Sequence, residues 1–92
     1  PLDILALSKD KLEFLVIELK KGRTSDIAIG QTLRYMGWVK KELANDNQKV
    51  KGCIIANEDD QNMQDALEVT PGISFMRYEL KFNLISSING EI

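Results

Sequence analysis

Histidine is missing altogether from this 92-residue chain. Its absence excludes histidine-based nucleases, Ser-His-Asp triads and the usual zinc enzymes within the chain, since each needs imidazole as base or ligand. Cysteine occurs once, as Cys53 in the apolar stretch from Gly52 to Ala56. A lone thiol cannot staple a fold; it reads as a small buried hydrophobe, and the expected setting is reducing and cytoplasmic. No apolar run approaches the roughly 18 residues of a membrane span, and no signal peptide opens the chain. A strong excess of one charge is absent too, with a net charge of −2. Any contact with nucleic acid must therefore come from a local basic patch.

What is present has the proportions of a globular domain, 43% apolar and 28% charged. A chain of this length makes one small domain that buries a modest share of its surface, so it is expected to lean on a partner or on further sequence. The start at Pro1, directly into apolar residues 2–7, reads as a cut within a longer protein. The domain is expected over residues 1–86, with a tail at 87–92.

Periodicity predicts strand, strand, helix, strand, helix, strand. Residues 2–7 and 12–19 form the first two strands across a turn at Ser8, Lys9, Asp10 and Lys11, close enough for a hairpin. Along the second, Leu15, Ile17 and Leu19 share one face, and Val16, Glu18 and Lys20 the other. Lys21, Gly22 and Arg23 end it. Thr24 or Ser25 offers a cap to a helix over 25–44, with Asp26 in its first turn. Its core stripe is Ile29, Leu33, Met36 and Leu43, with Ile27, Gln31, Arg34, Tyr35 and Trp38 on the other side. Residues 50–56 are apolar enough for a buried parallel strand. An acidic loop of Glu58, Asp59 and Asp60, a short helix over 61–69, the stop Thr70, Pro71, Gly72 and a final strand over 73–85 complete the chain. The class is α/β with a mixed sheet, the long helix linking parallel neighbours.

Glu18 and Lys20 leave the same face of one strand, and a hairpin brings Asp3 beside them. Burying a carboxylate and an ammonium costs several kcal/mol unless they pair or hold an ion. Two converging carboxylates beside a lysine suit magnesium, which takes oxygen ligands and keeps several waters. The same residues also suit an ion pair at an exposed strand end. Gln31 and Tyr35, one turn apart, share a helix face. Trp38 fits a packing or dimer contact better than a base-stacking platform. Lys20, Lys21, Arg23, Arg34, Lys40 and Lys41 make either a phosphate-binding patch or scattered solvated charge. The acids Glu58 to Asp60 read as an exposed loop more readily than as a metal cluster.

Taken together, these residues form a more specific pattern. Pro1, Leu2 and Asp3, a gap of fourteen residues, then Glu18, Leu19 and Lys20 resemble the PD-(D/E)xK signature. Gln31 to Tyr35 resembles the QxxxY motif of the RecB-like branch of that superfamily. Val16 to Arg23 followed by Gly30 to Val39 is similar to the catalytic domain of NucS-like endonucleases, and the likeness runs from Asp3 to about Leu84. The resemblance implies a restriction-endonuclease-like core, a mixed sheet flanked by helices, and a magnesium- or manganese-dependent DNA endonuclease. It implies Asp3, Glu18 and the Leu19 carbonyl as metal ligands, Lys20 as the catalytic lysine, and Gln31 and Tyr35 facing the site. Lys21, Arg23 and Arg34 are the candidate DNA contacts. Members often carry a further acidic residue on a helix upstream of the first motif strand, and that helix is expected to lie outside this chain. The alternative is a nuclease-like module that binds DNA or protein without cutting.

Overall fold

The computed structural model describes residues 3–23, 26–58 and 60–87, with the Arg23 side chain and the expected caps Thr24 and Ser25 outside the described residues. The elements are β1 (Ile4–Leu7), β2 (Glu13–Arg23), α1 (Ile27–Glu42), β3 (Lys49–Glu58), α2 (Gln61–Glu68) and β4 (Ile73–Arg77). They form one four-stranded sheet in the order β1-β2-β3-β4. β1 and β2 are an antiparallel hairpin, and β2, β3 and β4 run parallel. The mixed α/β sheet expected from the chain pattern is what forms.

The hairpin turn is built by short polar side chains. Ser8 Oγ donates to Asp10 Oδ1, which also accepts from the Leu12 N–H, while Glu13 N donates back to Ser8 Oγ. Lys11 takes a positive φ of 63° in this turn.

Parallel pairing aligns Val16 with Gly52 and Ile73, and Glu18 with Ile54 and Phe75, on one sheet face. Both helices cover that face: Ala28 and Ile29 of α1 and Met63 of α2 cluster with Ile54 and Ile73, and Met36, Ala66, Leu67 and Phe75 pack around them. The opposite face carries Leu15, Ile17, Leu19, Cys53, Ile55 and Met76, and neither helix packs on it.

The seam between α1 and β3 is set by a missing side chain. A Cβ on Gly52 would stand 2.6 Å from Thr32 Cγ2 and 2.9 Å from Met36 Sδ, so only glycine lets the helix approach this closely. That approach explains a departure from the expected core stripe. The residues of α1 that are buried are Ala28, Ile29, Thr32 and Val39, whereas Leu33 and Leu43 are 44% and 47% exposed. Small Ala28 and Thr32 fit the narrow seam and displace the larger Leu33 to its flank. The buried Thr32 hydroxyl is satisfied by donating to the Ala28 carbonyl at 2.8 Å.

Two element ends also differ from expectation. β2 is not broken by Lys21, Gly22 and Arg23; it continues through a register shift between Lys20 and Arg23, with Gly22 at φ 78°. β4 stops at Arg77 because its ladder with β3 runs out there, Ala56 pairing with Arg77 and accepting a last bond from Tyr78 N. Residues 79–85, expected as part of this strand, pair with no strand among the described residues.

Candidate nuclease site

The charged cluster gathers at the C-terminal end of β2. The hairpin register pairs Ile4 with Ile17, so Asp3, immediately ahead of β1, lies close enough to Glu18 for its charge to act on that carboxyl. Asp3 Oδ2 accepts a hydrogen bond of 2.7 Å from the Leu19 backbone N–H, which fastens the carboxylate of a residue ahead of β1 to the middle of the motif strand. Asp3, Glu18 and the Leu19 backbone are therefore brought together.

Glu18 is far deeper than a solvated strand end would place it, only 2% exposed. Its Oε2 is buried without a hydrogen-bond partner among the described residues. Burial is the main cause that raises the Glu18 carboxyl above its ordinary value; the nearby Lys20 charge pulls it down again, and Asp3 pushes it further up. A buried carboxylate oxygen with no donor is costly for the fold on its own. A cation at that oxygen would relieve the cost. Two carboxylates and one backbone carbonyl, with the remaining positions left to water, match the donor set magnesium prefers. The residues present thus fit the ion.

Lys20 does not form an ion pair with Glu18. Its Nζ donates to Gln31 Oε1 on α1 at 2.7 Å, so the helix holds the ammonium at the edge of the cluster. Gln31 and Tyr35 are half-buried and flank the buried stripe of α1, so their face is the border of the core and not its opposite. Lys21 is exposed, and strand alternation points it away from Lys20. Arg34 is exposed as well, with its Nη1 over Gly30, 3.8 Å from where a Cβ would stand. Lys40 is used elsewhere: its Nζ donates to the Gln48 carbonyl in the loop after α1. Trp38 is 52% exposed.

The acidic loop has a structural role. Asp60 is the N-cap of α2 and accepts from Met63 N at 2.8 Å; Asp59 lies outside the described residues. An open groove of about 520 Å³ runs between α1 and β3, lined by Leu33, Met36, Lys40, Lys49, Val50 and Gly72, among others. None of Asp3, Glu18, Lys20 or Gln31 lines it. Gly52 and Thr32 are the site-supporting residues that pattern reading missed. A glycine inside an apolar strand was the available signal, since it marks close approach of another backbone.

No described helix is long and apolar enough to cross a membrane. No protein-family model matches the chain, and no curated protein matches it either. Two solved structures do. A repair endonuclease from Pyrococcus abyssi superimposes with a TM-score of 0.68 at 28% identity, over 85% of this chain and 32% of that one. EndoMS in its apo form gives a TM-score of 0.66 at 25% identity, over 84% of this chain and 34% of that one. The chain spans about a third of each structure it matches. Within that span, the hairpin, the crossover helix and the parallel strands are a nuclease fold of the NucS/EndoMS repair-endonuclease type.

Proposed function

We propose that this chain is the catalytic core of a divalent-metal-dependent DNA endonuclease that hydrolyses phosphodiester bonds. The observation that carries the reading is the buried Glu18 Oε2, without a partner among the described residues, near Asp3 and a lysine held by Gln31, on a fold shared with a repair endonuclease. Asp3, Glu18 and the Leu19 carbonyl would hold magnesium or manganese. When bound, such an ion lowers the pKa of a coordinated water and offsets charge on the phosphate.

The chain's own residues supply the rest. Lys20 sits beside the carboxylates and presents positive charge where a scissile phosphate gains negative charge. Gln31 accepts from Lys20 and so fixes the ammonium's position before substrate arrives. The Asp3 bond to Leu19 N keeps one carboxylate in place and orients the motif strand. Tyr35 borders the same helix face. Lys21, Arg23 and Arg34 are the proposed phosphate contacts.

The test is cleavage of plasmid and oligonucleotide DNA by the purified chain with magnesium or manganese and with a chelator. Metal-dependent nicking that disappears in Lys20→Met supports the reading. DNA binding with no cleavage under any metal would favour the non-cutting module instead.

A further inference from the structure

At the N-terminal end of β3, away from the cluster of Asp3, Glu18 and Lys20, the sheet lacks a fourth strand among the described residues. The ladder between β3 and β4 begins at Gly52 and Ile73, so on that side Lys49, Val50 and Lys51 pair with no described strand. Their other side is satisfied by β2, with Lys49 N donating to the Leu12 carbonyl at 2.8 Å. Gly72, at φ 82°, turns the chain out of the extended line just ahead of Ile73 and leaves the place beside β3 open. The groove between α1 and β3 lies over the same three residues. Leu33, Met36, Gly37 and Lys40 line it from one face of the helix. Gly37 stands inside α1, where glycine is the poorest helix former after proline. A Cβ there would meet nothing within 4 Å, so packing does not demand glycine. Its bare backbone leaves the groove wider.

We propose that this groove docks an extended, acidic segment of another protein, which adds beside β3 as a short strand. Strand alternation sets what such a segment must look like. Val50 shares the helix-covered face, so the peptide side chain beside it enters the groove and is apolar, to match Leu33 and Met36. Lys49 and Lys51 face the other way, so the peptide residues before and after it lie against two ammonium groups and are carboxylates. Opposite charges set directly across a strand pair are favourable. Lys49 is exposed and pairs with no carboxylate among the described residues, while Lys51 meets Glu13 at 3.1 Å. Lys40 adds a third positive charge, its Nζ donating to the neutral Gln48 carbonyl. The apolar floor favours a peptide over nucleic acid, since a phosphate backbone gains nothing from Leu33 and Met36.

Fluorescence anisotropy of a labelled seven-residue peptide of alternating glutamate and valine, titrated with the 92-residue chain, tests this. Saturable binding is expected, weakened at least about tenfold when lysine replaces glutamate or when the same residues are arranged in two blocks. Gly37→Leu puts a side chain into open space on the groove wall, and Lys49→Glu reverses an exposed charge. Each should weaken binding to a similar degree while circular dichroism shows the fold intact. No saturable binding of the alternating peptide overturns the proposal, as does equal binding of the blocked one. Binding indifferent to both substitutions overturns it too. DNA binding lost in Lys49→Glu, with no peptide bound by the parent, would assign the patch to nucleic acid instead. A parent dimer that Gly37→Leu breaks would assign the groove to a second copy.

Discussion

Two positions on the helix-covered face, two residues apart along β2, meet the covering layer in opposite ways. At Val16, level with Gly52, the helix presses down until Thr32 and Met36 occupy the space a Cβ would need. At Glu18, level with Ile54, the same face admits a carboxylate, leaves one of its oxygens without a donor and passes the next charge to Gln31. The first position is optimised for packing density and the second is not. Sequence that violates burial rules at one point of an otherwise dry seam marks the place where the fold gives up stability for chemistry. The tight position fixes the height of α1 over the sheet, and the polar position uses that height to bring Gln31 within reach of Lys20.

Substitutions at the two positions should therefore separate. The largest effect is expected from Glu18→Gln, which should abolish metal-dependent cleavage, a loss of about a thousandfold or more. The metal-free fold should be no less stable, or up to about 1 kcal/mol more stable, because a buried charge is removed. Cleavage assays and urea melts of the same variant check both halves. Gly52→Ala should do the reverse. It forces a Cβ against Thr32 and should cost about 1–3 kcal/mol, with cleavage falling only as far as the folded fraction does. Adding Thr32→Ala should recover part of that loss, since it removes the clashing methyl.

A smaller effect is expected from pH. The Glu18 carboxyl is raised in the folded metal-free protein, so the native state holds its proton more tightly than the unfolded chain. Stability is then greatest below the ordinary carboxyl range and falls as pH rises out of it, since the unfolded state binds fewer protons there. Chemical melts between acid and neutral pH should show this decline in the parent and a flatter profile in Glu18→Gln. The smallest effect tests the acidic loop. Asp60→Ala removes the cap of α2 and should cost about 1 kcal/mol, with no change in metal affinity; a drop in affinity would make Asp60 a ligand.

The strand faces of β2 were legible from alternation alone, as was the hairpin that brings Asp3 to Glu18, because both depend on local periodicity. The helix stripe was not. Hydrophobicity nominates Leu33 for the core, but Gly52, nineteen residues later, decides that small Ala28 and Thr32 lie innermost. The length of β4 was hidden for a similar reason: residues 79–85 have strand chemistry, and only the end of the β3 ladder shows that they pair with no strand among the described residues. The candidate site was half visible. Its residue types followed from the motif spacing, whereas the depth of Glu18 and the bond from Lys20 to Gln31 are products of tertiary packing.

In the proposed function, the orphaned Glu18 oxygen is held for a divalent cation. Isothermal titration of manganese into the parent chain, Asp3→Asn and Glu18→Gln tests it most directly. One site is expected in the parent, weakened at least about tenfold by either substitution. Equal manganese binding by all three, or none by the folded parent, would contradict it.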